Sequence, residues 1–157
     1  MKIRSDFVTN SSSSSFIVAF KNKAEREKGI KYVREHYGDE VADSINSQLS
    51  EGQMTKAALL KELRDVMYYE ALYDLKYGSL SKADFEKQYG KPYNKMSVEQ
   101  AARLEAGDRL ECICRAMPPR CTYYGMLEYS DHSEFGATME QRICPGLPFV
   151  YKTISNH

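Results

Sequence analysis

Carboxylates and a histidine are concentrated in one short stretch of the last third of the chain. Glu128, Asp131, His132 and Glu140 fall within thirteen residues, with Glu134 among them. Oxygen ligands of this kind bind divalent cations, and a bound cation can activate water for hydrolysis of a phosphodiester or ester. The same composition is typical of an exposed hairpin tip, because turns favour Asp and Ser. We favour a solvated or partner-facing loop, and keep a small metal-dependent hydrolase as the alternative.

The four cysteines are a second candidate for chemistry. They are Cys112, Cys114, Cys121 and Cys144. Four thiolates can hold zinc tetrahedrally, which would make the chain a zinc-stabilised interaction module. However, the paired C-x2-C knuckles typical of such sites are absent from the sequence, and free cysteine commonly packs as a small buried hydrophobe. We therefore predict that Cys112 and Cys114 are reduced, share one face of a strand and lie buried in a sheet without a metal.

Five consecutive serines at positions 11–15 precede an apolar segment that begins at Phe16. Apolar residues also precede the run at Phe7 and Val8, and a flexible tether needs no such anchors. We predict a fixed, hydroxyl-rich turn whose side chains bond to nearby backbone and which leads into a buried strand. Anion binding by a backbone nest is an alternative, although the run contains no glycine and the sequence contains no P-loop or Rossmann pattern.

Tyrosines recur along the longest predicted helix, at Tyr68, Tyr69, Tyr73 and Tyr77. Aromatic rings at such positions can stack on the bases of single-stranded nucleic acid. Acidic residues intervene among them, and no cluster of basic residues accompanies them. The pattern therefore favours packing between helices.

Two segments of the sequence resemble one group of proteins. Residues 4–16, R-S-D-F-V-T-N-S-S-S-S-S-F, resemble an N-terminal signature of uncharacterised small proteins from bacteria and their phages. Residues 129–141, Y-S-D-H-S-E-F-G-A-T-M-E-Q, resemble an acidic stretch of the same group, which often has His where this chain has Gln141. The resemblance implies a bacterial, phage or mobile-element protein, and it carries no biochemical activity with it.

Both segments are polar and both border predicted strands, so we expect the fold to bring them together. Serine hydroxyls and carboxylates are complementary as donors and acceptors, and need no catalysis to be paired. We predict one polar groove that serves as the binding surface. Its predicted members are Asn10, Ser11, Ser12, Ser13, Ser14, Ser15, Asp131 and Glu140.

The overall charge limits the classes of partner. Lysine and arginine total 22, and aspartate and glutamate also total 22, so the net charge is zero. A neutral chain has no general electrostatic attraction to nucleic acid or to an anionic membrane. No apolar run approaches the ~20 residues needed to span a bilayer, and Asn10 and the serines interrupt any signal-peptide core. We expect a cytoplasmic protein without a cofactor, whose partner is a protein or a small polar ligand.

Capping residues and hydrophobic spacing predict five helices in the middle of the chain, between residues 22 and 108. Their expected caps are Asn22, Thr55, Ser81 and the Ser97–Gln100 capping box. The expected helices end near residues 37, 50, 77, 90 and 107.

Near Leu110 the hydrophobic period changes from 3.6 to 2, which predicts strands. Strands are expected at 16–20, 110–117, 121–129, 134–143 and 149–154, although 134–143 is also compatible with a helical turn. The sequence thus predicts a single α+β domain, residues 1–157, in which a helical middle is inserted between an N-terminal strand and a C-terminal antiparallel sheet. Within this fold we expect a binding or accessory protein.

Overall fold

Strand β1 (Ser13–Phe20) is the central strand of a three-stranded antiparallel sheet, between β2 (Tyr123–Ser130) and β3 (Val150–Asn156). The computed structural model describes residues 13–78 and 80–156. Within them the fold is α+β, with six α-helices, and the first five of these lie between β1 and β2 as predicted. The strands and helices are β1 (Ser13–Phe20), α1 (Lys23–Tyr37), α2 (Asp39–Glu51), α3 (Lys56–Tyr77), α4 (Lys82–Tyr89), α5 (Val98–Ala116), β2 (Tyr123–Ser130), α6 (Glu134–Thr138) and β3 (Val150–Asn156).

The register of the sheet joins the two ends of the described chain. Ser13 of β1 pairs with Ser130 of β2 on one side and with Asn156 of β3 on the other. A bulge between Ile17 and Val18 shifts the pairing with β3. This confirms the prediction that the first strand finds its partners late in the sequence.

The predicted helix starts are confirmed by their caps. Asn22 accepts a hydrogen bond from the Glu25 backbone N–H at 2.9 Å, and Ser97 exchanges hydrogen bonds with Gln100 in the predicted capping box. Thr55 and Ser81 cap α3 and α4 in the same way. Each cap satisfies a backbone N–H that the helix itself leaves without an acceptor.

The chain separates into two compact units, one formed by residues up to 59 and from 116 onward, and the other by residues 60–115. In the first unit, α1 and α2 pack on each other and onto the sheet. The core there contains Phe16, Val18 and Phe20 from alternate positions of β1, because alternate residues of a strand face the same side. Helix residues such as Val33 and Ile45 cover them. The single-domain assignment stays a prediction.

The outer edge of β2 is covered by polar and backbone groups of the same unit. The Gln48 side chain of α2 donates to the Glu128 carbonyl at 3.1 Å and accepts from the Glu128 N–H at 2.8 Å. Met54 donates its backbone N–H to the Tyr124 carbonyl at 3.0 Å. An open strand edge is a template for pairing with another chain, so these contacts block part of that edge.

The second unit contains α4, α5 and most of α3, and a charged network lies among them. Arg109 of α5 binds Asp74 of α3 at 2.6 Å and Glu105 at 3.0 Å. Glu105, only 7% exposed, also accepts a hydrogen bond from the Tyr89 hydroxyl of α4. One arginine therefore connects all three helices through carboxylates.

Three predicted elements are wrong. The strand predicted at 110–117 is the last part of α5, which continues past the predicted stop at Gly107 to Ala116. The strand predicted at 134–143 is helical throughout: α6 is followed by a π-helical turn, Met139–Ile143. The first strand begins at Ser13, so at least Ser13, Ser14 and Ser15 belong to a strand and not to a turn. Within the described residues, no helix has the length and apolar character required to cross a membrane.

Candidate functional site

Of the serine run at positions 11–15, the three residues that the structure describes are buried in the central strand. Ser13, Ser14 and Ser15 are each no more than 6% exposed, although the predicted site required a hydroxyl-rich turn. Two neighbouring strands fix their backbone, and this pairing overrides the weak tendency of serine to form strands. Asn10, Ser11 and Ser12, the other N-terminal members of the predicted groove, lie outside the described residues.

Ser14 and Glu140 meet, as the sequence predicted for the two segments. The Ser14 hydroxyl donates to the Glu140 Oε1 atom at 2.8 Å across 126 positions of the chain. Both residues are buried, and Glu140 is 6% exposed. A hydrogen bond to a carboxylate in such surroundings stabilises more than one between neutral groups.

The segment between β2 and Glu140 is built tightly against the end of the sheet. The Ser133 hydroxyl caps α6 by accepting from the Gly136 N–H at 2.9 Å. A Cβ atom at Gly136 would lie 2.1 Å from the Ser130 carbonyl oxygen, a distance no side chain can tolerate. Only glycine allows α6 to pack this closely on β2, and the π-helical turn that follows contains Glu140. π-helical turns frequently occur at functional sites.

Tyr129 anchors the same segment to helix α2. Its hydroxyl shares a hydrogen bond of 2.8 Å with the Ser44 hydroxyl, and its ring contacts that of Phe135 edge-on at 6.3 Å. Burial raises the pKa of Tyr129 to about 12, so the phenol stays protonated in neutral solution. Together with the contacts of Ser133 and Gly136, these contacts give Tyr129 and Phe135 structural roles in the 129–141 segment.

The predicted groove is only partly assembled by the described residues. Ser14 lies on the same face of β1 as Phe16, whereas Ser13 and Ser15 lie on the opposite face, because side chains alternate along a strand. Asp131 is exposed in the turn after β2, unlike Glu140. The structure therefore joins Ser14 to Glu140 and leaves Asp131 on the surface with His132 and Glu134, which are also exposed.

The cysteines do not lie where the sequence predicted. Cys112 is exposed and Cys114 partly exposed on α5, so the expectation of two thiols buried in a sheet is wrong. Residues two apart point to nearly opposite sides of a helix, whereas they share one face of a strand. Cys144 is buried, and burial raises the pKa of its thiol to about 12.

Neither metal hypothesis gains support from the geometry. Among residues 13–78 and 80–156, which include all the acidic and cysteine candidates, no three His, Cys, Asp or Glu side chains are arranged to hold a metal ion. Glu128 lies on β2 and is held by Gln48 through its backbone, while Glu140 is directed to Ser14.

Sequence reasoning missed the network around Arg109. Burial lowers the pKa of the Arg109 guanidinium, but the hydrogen bonds to Asp74 and Glu105 together raise it above its ordinary value. Burial and the hydrogen bond to Glu105 raise the pKa of Tyr89. The four-residue spacing of Glu105 and Arg109 on a helix was the available signal. With its groups bound to one another, the network stabilises the unit and offers no open catalytic group.

Comparison of the chain with protein-family models, with curated proteins and with solved structures found no match.

Proposed function

We propose that this chain is a non-catalytic binding protein, an accessory or regulatory factor of a bacterium, phage or mobile element. We assign its partner-binding surface to the acidic turn, defined as Asp131, His132, Ser133 and Glu134. The partner class that fits this surface is a protein that presents basic side chains. The origin in a bacterium, phage or mobile element is proposed from the resemblance of the two segments alone.

The observation that carries the proposal is the buried hydrogen bond between Ser14 and Glu140. At 4% and 6% exposure, neither group can reach a substrate in the folded chain. The bond instead ties the end of the 131–140 segment to the central strand of the sheet. Glycine at position 136 and the Ser133 cap fix the other end.

The acidic turn is therefore an exposed surface on a fixed support. Its carboxylates at Asp131 and Glu134 are exposed, and so is His132 between them. A surface that is ordered before binding loses less conformational entropy when a partner binds, which favours affinity. Charges at the rim of an interface chiefly set the rate of association and the choice of partner.

The test is quantitative capture of partners from bacterial lysate by the immobilised full chain. We compare the wild type with the variant Asp131→Asn/Glu134→Gln and with a matched control, Glu27→Gln/Glu40→Gln, which neutralises two exposed carboxylates on α1 and α2. We expect proteins retained by the wild type and the control to be lost with the turn variant, and retention to weaken as salt is raised.

Two results would overturn the proposal. One is equal retention by the turn variant and the wild type. The other is Mg²⁺- or Mn²⁺-dependent hydrolysis of a chromogenic phosphodiester that is abolished by Asp131→Asn, since that result would establish the hydrolase in place of a binding protein.

A further inference from the structure

Helix α3 carries a row of exposed aromatic side chains. Tyr69, Tyr73 and Tyr77 are 57%, 55% and 72% exposed, respectively. Their four-residue spacing places them on one side of the helix, and the rings of Tyr73 and Tyr77 are 4.6 Å apart. We call these three residues the tyrosine stripe. The packing between helices that the sequence favoured therefore does not hold for them, whereas Tyr68 is partly buried beneath Arg103.

Opposite charges lie at the two ends of the tyrosine stripe. Asp65 precedes Tyr69 by one helical turn, and Lys76 is adjacent to Tyr77. Both charged residues are exposed. Neither forms an ion pair within the part of the chain that the structure describes. One surface thus offers an acidic end, an aromatic centre and a basic end.

We propose that the tyrosine stripe is the contact surface of a homodimer in which two α3 helices pack antiparallel about a two-fold axis. An antiparallel arrangement centred between Tyr69 and Tyr73 places Tyr69 of one copy against Tyr73 of its partner. It also brings Asp65 of each copy to Lys76 of the other, so the single charge pattern forms two intermolecular ion pairs. A surface of this kind is self-complementary, as a two-fold interface requires.

The charge pattern decides between a second copy and nucleic acid. Single strands bind where aromatic rings lie within a positively charged groove. The stripe has Lys76 at one end and Asp65 at the other, with Lys61 one turn beyond Asp65, and its neighbours Glu70 and Asp74 are acidic. Phosphates gain little on such a surface, whereas a second copy of it matches both charges.

The available area sets the strength of the dimer. Covering three tyrosines with these exposures removes roughly 300–400 Å² from each copy, given 150–250 Å² for a whole aromatic side chain. The total for both copies, roughly 600–800 Å², is below the ~1,200 Å² at which stable interfaces begin. The dimer is therefore weak, and its population depends on protein concentration.

Sedimentation equilibrium of the full chain over a range of concentrations tests the proposal. We expect the average mass of the wild type to rise towards twice that of the chain, and Tyr69→Ser/Tyr73→Ser to stay monomeric. Asp65→Lys and Lys76→Asp should each weaken association about tenfold, because each places like charges at both ends of the interface. The double variant Asp65→Lys/Lys76→Asp should restore the wild-type affinity to within about threefold, since the pairs re-form with opposite sign.

The matched control is Arg64→Asp, an exposed charge reversal on α3 located half a turn from Tyr73, which should leave association unchanged. Circular dichroism verifies that each variant is folded, and the charge reversals leave every tyrosine in place. A wild type that stays monomeric would overturn the proposal, and so would association that survives the tyrosine substitutions or is not rescued by the double reversal. Quenching of tyrosine fluorescence by a thymidine oligonucleotide, without any change in self-association, would assign the stripe to nucleic acid instead.

Discussion

The Ser14 hydroxyl of the central strand donates its hydrogen bond to the Glu140 carboxylate of the π-helical turn, and both groups are almost completely buried. The two residues belong to two segments of the sequence, residues 4–16 and 129–141. Their contact gives those segments a shared structural purpose: the strand supplies a donor, and the later segment brings an acceptor to it.

Removing the Ser14 hydroxyl should destabilise the fold. Ser14→Ala takes away one donor to a buried carboxylate, and we expect a loss of about 1.5–3 kcal/mol in the free energy of unfolding. Urea denaturation measures this loss, and the exposed α2 serine serves as control, since Ser47→Ala should change stability by less than about 0.5 kcal/mol. Equal stability of the two variants would contradict a stabilising bond. A double-mutant cycle with Glu140→Gln isolates the coupling between the two side chains.

Gly136→Ala should be among the most damaging small substitutions in the chain. The new Cβ atom would lie 2.1 Å from the Ser130 carbonyl oxygen, so α6 or the end of β2 must move. We expect a loss of about 3 kcal/mol, measured by thermal denaturation, because overpacking against backbone is not relieved by a rotamer change. Gly107→Ala is the control: its Cβ meets nothing within 4 Å on helix α5, and alanine should stabilise by about 0.4–1 kcal/mol. A tolerated alanine at position 136 would refute the close packing.

Arg109→Met should destabilise the second unit strongly. It leaves Glu105 and Asp74 without their cation in a partly buried site, where breaking such a pair costs about 2–4 kcal/mol after allowance for the remaining exposure. Arg115→Met removes the ion pair to Glu111 on the exposed side of the same helix and should cost less than about 1 kcal/mol. Hydrogen exchange of α3 and α5 amides locates the effect, and similar losses for both variants would contradict it.

The buried thiol and phenol of the first unit predict a loss of stability in alkaline solution. Burial raises the pKa of Cys144 from 9.0 and that of Tyr129 from 10.0, in each case to about 12. The unfolded chain therefore releases these protons first, and their contribution to stability is complete below about pH 9 and is lost between pH 9 and 12. Urea denaturation at several pH values should show this decline, and Cys144→Ala should make the decline shallower. A pH-independent midpoint up to pH 11 would contradict it.

The thiols of Cys112 and Cys144 should differ in reactivity with iodoacetamide. Cys112 is exposed and should be alkylated in the folded chain, whereas Cys144 should react only after unfolding, because it is buried and protonated. Peptide mass spectrometry after a short labelling time measures both. Rapid labelling of Cys144 in the native protein would show that its burial is transient.

Local signals predicted the helix starts because a cap needs only its own neighbours. Asn22, Thr55 and Ser97 were identified from the residues that follow them. The end of α5 was misread because Leu110, Cys112 and Cys114 alternate as in a strand. The burial of Ala102, Ala106 and Ile113, spaced by four and then seven positions, shows the helical period that the alternation concealed.

The candidate site was predictable only in outline. Polarity and position near strands indicated that the two segments meet, and Ser14 and Glu140 do. A serine has a defined face only if it lies within the strand. The apolar residues alone predicted that the strand starts at Phe16, whereas it includes Ser13, Ser14 and Ser15. The Arg109 network and the exposed tyrosines depend on how three helices pack, which hydrophobic spacing along one helix does not determine.

The central position of β1 has a consequence for how the chain is made. β1 pairs with β2 and with β3, and the whole helical middle of the chain separates it from both partners. During translation α1 and α2 can pair locally, while the apolar residues of β1 wait without strand partners. Formation of the sheet therefore closes a long loop, which slows folding and leaves a hydrophobic strand exposed to aggregation in the interval.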